Sequence, residues 1–123
     1  MKVLALDYGS ARTGVAVSDP TGTIARPIGV VERAGTDAGL ARLRELIAEE
    51  EPERVVVGLP LTLRGERGEQ AQETERFAES LRGALDVPVE LFDERFTSVL
   101  ADGDDARAAA HLLTTYLAWL GDR

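Results

Sequence analysis

Four carboxylates stand where apolar runs end and where a helix begins: Asp7, Asp93, Glu94 and Asp105. Asp7 closes the run KVLALD and leads into the glycine-bearing segment Tyr8-Gly9-Ser10-Ala11-Arg12-Thr13-Gly14. Asp93 and Glu94 close a later run, Val87 to Phe92, and Asp105 opens an alanine-rich stretch. Acids gathered from separate strand ends repel one another unless a cation joins them. Mg²⁺ or Mn²⁺ would suit them, because hard divalent ions prefer oxygen ligands. Two such ions about 3.5–4 Å apart can activate a water and stabilise the leaving oxygen in phosphodiester hydrolysis. Other chemistries are scarce: cysteine is absent and His111 is the single histidine, which excludes thiolate and multi-histidine metal sites.

Each acid also has a plain structural reading. On spacing alone Asp105, with Asp104, reads first as a helix cap. Asp93 and Glu94 suit a charged strand exit paired with Arg95. Asp7 fits an Asx turn onto the Gly9 backbone less well, because a carboxylate closing a buried strand is costly when unpaired. Period-two alternation sends Asp93 and Glu94 to opposite faces if the strand continues through them, so one of them should turn away.

Elements must position these acids. Residues 2–7, 13–19 and 23–32 read as three strands on short connections, with Asp19-Pro20-Thr21-Gly22 as a tight turn and Pro27 marking an edge or an irregularity. Thr36 reads as the N-cap of a helix that carries Leu40, Leu43, Leu46 and Ile47 and stops before Pro52. Val55-Val56-Val57 suits a strand buried on both faces. A polar loop from Thr62 to Gly68 follows, then a helix marked by Ala71, Thr74, Phe77, Ala78, Leu81 and Leu85. The fifth strand is 87–92, and a last helix from about Asp105 carries Ala109, Leu113, Tyr116, Leu117 and Leu120. A meander followed by two crossover units gives an α/β fold: a mixed five-stranded sheet with helices on both faces, the ribonuclease H-like arrangement. At 123 residues the chain is read as one domain, 1–123.

Taken together the segments are more specific than any one of them. Leu6-Asp7-Tyr8-Gly9 through Gly14-Val15-Ala16, Val57-Gly58-Leu59-Pro60-Leu61 with Gly65, Phe77-Ala78, and Asp93-Glu94-Arg95 with Thr97-Ser98 occur in order. The chain resembles the YqgF family, also called RuvX, over essentially its whole length. The resemblance implies a cytoplasmic bacterial nuclease that processes the 5′ end of pre-16S rRNA in ribosome biogenesis, and a family earlier described as Holliday junction resolvases. It implies Asp7, the Asp93–Glu94 pair and Asp105 as catalytic acids, with Asp7, Glu94 and Asp105 holding Mg²⁺ or Mn²⁺. Counting back from Tyr116 selects Asp105 over Asp104. Two departures stand out. Only Val99 to Asp104 separate Ser98 from Asp105, where relatives carry a longer, basic stretch, and Thr62 and Arg64 replace the asparagine and other polar residue common there.

The formal net charge of −8 (14 basic against 22 acidic residues) is the reverse of a simple nucleic-acid binder. Lys2 is the only lysine, so arginines must hold any phosphate backbone. Arg12 and Arg95 flank the acids, and Thr62, Arg64, Thr97 and Ser98 complete the expected contacts. Tyr116 and Trp119 recur with apolar positions and read as packing residues, and His111 as a polar-face residue. The expected partner is structured RNA, with pre-16S rRNA first and branched DNA second, and a pre-ribosomal particle as a possible setting. No membrane is expected: no apolar run reaches about 18 residues. The N-terminus lacks a small-residue cleavage site, which reads against a secretory signal. With no evident apolar stripe for a symmetric dimer, a monomer is expected. Two other classes compete: a binding module without turnover, and a small nucleotide-binding domain resting on the Asp7–Gly14 hairpin alone.

Overall fold

The computed structural model describes residues 1–62, 64–94 and 104–122. The elements follow in the expected order: β1 Val3–Asp7, β2 Arg12–Ser18, β3 Ala25–Glu32, α1 Asp37–Glu50, β4 Arg54–Leu59, α2 Glu69–Ala84, β5 Val89–Asp93 and α3 Asp105–Gly121. They build one sheet in the order β3-β2-β1-β4-β5. The β1–β2 and β2–β3 pairs are antiparallel, and β1–β4 and β4–β5 are parallel. Short turns allow the first kind of pairing, and the helical crossovers α1 and α2 impose the second. Pro27 lies on the edge strand β3, where the pairing shifts register between Val15 and Ala16. A missing N–H is tolerated there.

Alternation along each strand sorts the core into two layers. Leu4, Leu6, Val15, Val17, Val55 and Val57 pack with Leu43 and Ile47 of α1 and with Phe77 and Leu81 of α2. Val3, Ala5, Ala16 and Val56 pack on the other face with Ala109, Leu112, Leu113 and Tyr116 of α3. Burial of both faces explains the unbroken apolar runs of β1 and β4. Thr36 caps α1, its hydroxyl accepting from the Gly39 N–H at 3.2 Å. Glu51 ends that helix in the left-handed region before Pro52. Among the described residues no helix is long and apolar enough to cross a membrane.

Candidate active site at the end of the central strand

Asp7 ends β1, the middle strand, on the face covered by α3. The sheet register shows how space is made around it. Asp7 pairs with Gly14 of β2, and on the other side Leu6 pairs with Val57, so Gly58 of β4 comes next to Asp7. By alternation Asp7, Gly14 and Gly58 share the α3 face with Ala5, Ala16 and Val56. A Cβ on Gly14 would overlap the Asp105 backbone carbonyl, and one on Gly58 would lie 2.6 Å from a Glu94 carboxylate oxygen and 3.0 Å from Leu112 Cδ2. The two glycines therefore admit the start of α3 on one side of Asp7 and the Glu94 side chain on the other. Both glycines stand in the sequence motifs, but their position in the motifs does not reveal this role. A lone glycine at the end of an otherwise branched apolar strand is the signal that would have found it.

Electrostatics follow from this crowding. Burial, and next the charge of Asp105, push the Asp7 carboxyl up to about 6. Burial, and next Asp7 and Asp93, push Glu94 up to about 7. The Glu94 backbone is held by its N–H donating to the Leu59 carbonyl at 3.2 Å. Asp93 shares its parity with Val89 and Leu91, which pack on the α1–α2 side, and it is exposed. Of the adjacent pair, Glu94 is the one turned to Asp7, as alternation requires. Asp105 is not the cap of α3. That role falls to Asp104, whose Oδ1 accepts from the Arg107 N–H at 3.0 Å. One residue further on, Asp105 is free to face Arg12, whose Nε stands 3.1 Å from Asp105 Oδ2. The Gly9 N–H is directed to the Thr13 hydroxyl, at 3.5 Å.

The donor set is all carboxylate oxygen, half-buried and short of positive charge, which fits a hard divalent cation. Asp7 lies in electrostatic range of both Asp105 and Glu94, yet among the described residues no three acids are spaced to hold one ion. Arg95, Thr97 and Ser98 lie outside the described residues. Thr62 accepts the Glu66 N–H at 3.0 Å on its hydroxyl and so closes its own loop, and Arg64 is exposed beside it. His111 is exposed on α3. Tyr116 is fully buried and does more than pack: its hydroxyl donates to Glu90 Oε1 at 2.7 Å and accepts from Arg54 Nη1 at 2.7 Å. Trp119 is partly exposed against Phe92 and Tyr116.

Comparison with known proteins agrees with this architecture. A family model described as "RuvX: Holliday junction resolvase" matches residues 1–118. A Chloroflexus aurantiacus protein named "Putative pre-16S rRNA nuclease" is 50% identical over 100 residues, covering 81% of this chain. The matched part spans 65% of that relative's own length. A Syntrophomonas wolfei protein of the same name is 39% identical over 132 residues, covering 95% of this chain and 94% of its own. Among solved structures, Thermus thermophilus RuvC superposes with a TM-score of 0.61 at 19% identity, covering 98% of this chain and 97% of its own. A fowlpox virus resolvase in complex with Holliday junction DNA gives 0.61 at 12% identity, covering 98% and 99%. These likenesses show the fold, which is ribonuclease H-like. With a family model matched from residue 1 to 118, the chain belongs to the RuvX family.

Proposed function

We propose that this chain is a metal-dependent nuclease that hydrolyses phosphodiester bonds of structured RNA at the Asp7 site, acting on the 5′ end of pre-16S rRNA. The observation that carries the reading is the clearing of both flanks of Asp7 by Gly14 and Gly58, through which Asp105 and Glu94 approach it. An acid whose neighbours are emptied to admit two further acids is costly as structure alone. The names of the relatives support the choice of RNA. Asp7, Glu94 and Asp105 would hold Mg²⁺ or Mn²⁺, and the chemistry supplied by such ions is water activation and charge stabilisation at the leaving oxygen. The chain's own groups do the rest. Glu94 has its backbone N–H fixed on the Leu59 carbonyl, which keeps its carboxyl beside Asp7. Arg12 orients Asp105 and keeps further N–H donors for a phosphate oxygen.

The test is cleavage of a pre-16S 5′ precursor by the purified chain in Mg²⁺, Mn²⁺ or chelator, with a four-way DNA junction in parallel. Cutting of the RNA that needs the metal and vanishes in Asp7→Asn is expected. Wild-type rates from Asp7→Asn would overturn the assignment, and cutting of the junction alone would turn it to a DNA resolvase. A second reading, a binding module without turnover, draws on the spacing of the acids, since no three of those described are placed for one ion. RNA binding without cutting in either metal would favour it.

A further inference from the structure

A cavity of about 560 Å³ opens on the opposite face of the sheet, directly beyond Asp7. The turn Tyr8-Gly9-Ser10 walls one side, and Glu69, Gln70, Gln72, Glu73 and Arg76 from the first two turns of α2 wall the other. Its size is that of a small-molecule site, for which about 300–1,000 Å³ is usual. Its lining is mostly polar, and the groups from α2 are planar hydrogen-bonding ones: two amides, two carboxylates and a guanidinium. The apolar stripe of α2 (Ala71, Thr74, Phe77, Ala78 and Leu81) faces the core, so the cavity is lined by a separate, polar stripe. Arg67 and Arg82 are engaged by Glu75 and Glu79, whereas Arg76 forms no ion pair among the described residues. Tyr8 is held by its ring stacked on Phe77, with centroids 4.3 Å apart.

We infer that this cavity receives an unstacked guanine base of the nucleic acid whose backbone is cut at Asp7, and so sets sequence preference next to the cleavage point. The inference rests on the nuclease reading for its location. Glu73, with Glu69 beside it, repels a phosphate but accepts from N–H donors, so a neutral base fits where the backbone does not. Guanine offers what the pair requires: N–H donors on one edge for the Glu73 carboxylate, and the O6 and N7 acceptors on the other for Arg76. Adenine sets an acceptor where Glu73 also accepts. The pyrimidines lack the N7 edge. Gln70 and Gln72, each both donor and acceptor, close the remaining positions.

The full chain in chelator, without divalent metal, is titrated with the four ribonucleoside 5′-monophosphates and with inorganic phosphate. Side-chain amide signals of Gln70 and Gln72 and the binding isotherm are followed together. GMP is expected to shift both amides and to bind about tenfold more tightly than AMP. Glu73→Gln should erase that preference, and Arg76→Ala should weaken GMP binding, while Arg42→Ala on α1 changes neither. Equal responses to all four nucleotides, shifts produced by phosphate alone, or no shift at millimolar GMP would each overturn the inference. Guanine discrimination by a chain that cuts no nucleic acid would support the pocket and count against the nuclease reading.

Discussion

At Asp7 and Glu94 the same crowding that suits a cation penalises the metal-free protein. Both carboxyls hold their protons more tightly when folded, at about 6 and about 7, than unfolded side chains do near about 4. Their contribution to stability is therefore fully present below about pH 4 and is lost as pH rises through 6 to 7. Asp7→Asn removes one charge without opening a hole. In chelator at pH 8 it should be more stable than wild type by about 1–3 kcal/mol, and the difference should vanish by about pH 4. Denaturant unfolding of both proteins at the two pH values measures this, and an unchanged difference would show that neither burial nor the neighbouring acids penalise a charged Asp7. Excess Mg²⁺ should reverse the order at pH 8, because the wild type gains stability from an ion that the amide holds less well. Tyr116→Phe tests a separate residue. It strips the hydrogen bonds to Glu90 and Arg54 and should lower stability by about 1–2 kcal/mol without touching cleavage.

The elements place these residues by register, and register makes Gly14 and Gly58 unequal. Alanine at 14 meets backbone, the Asp105 carbonyl, so the start of α3 must move; a loss of about 1–3 kcal/mol or more is expected, together with activity. Alanine at 58 meets side chains only, the Glu94 carboxylate and Leu112 Cδ2, so Glu94 swings away and Leu112 gives by a few tenths of an ångström instead. Gly58→Ala should melt close to wild type while cleavage falls at least about tenfold, the scale on which a displaced group acts. A Gly58→Ala protein that cuts normally would remove Glu94 from the machinery. Much of this placement is legible in the sequence. The run KVLALD reads as a strand and Val55-Val56-Val57 as one buried on both faces, and the two-residue period alone turns Glu94 and Asp93 apart. Other features are not legible. Whether Asp104 or Asp105 caps α3 depends on a one-residue shift of the helix start that two adjacent aspartates leave open, and the base cavity is formed by a polar stripe of α2 whose helical spacing is the same as that of any solvated face. Its existence depends on how close α2 comes to the Tyr8 turn, a tertiary distance.

Over the whole molecule, charge decides how nucleic acid is held. The chain carries −8, and five of its eleven described arginines are already matched: Arg26 to Glu50, Arg42 to Glu45, Arg54 to Glu90, Arg67 to Glu75 and Arg82 to Glu79. Even Arg12, beside the site, is shared with Asp105. A phosphate backbone must compete with carboxylates for these guanidinium groups, so few counterions are released on binding. The affinity for structured RNA should be weak, with a logarithmic salt slope corresponding to about 2–4 phosphate contacts. Divalent cations should strengthen binding by masking Asp7, Glu94 and Asp105, opposite to their usual competition at a basic patch. Arg12→Ala and Arg95→Ala should weaken binding more than Arg42→Ala, whose partner lies on the same exposed helix turn. Arg12→Ala also leaves Asp105 without its neighbour, so its loss should shrink when Mg²⁺ is present, whereas a residue serving only as a phosphate contact would lose affinity equally in both buffers. Affinity measured from low to moderate salt, with and without Mg²⁺, separates these cases. Tight binding at moderate salt without Mg²⁺ would show that the scattered arginines assemble a basic surface despite their carboxylate partners.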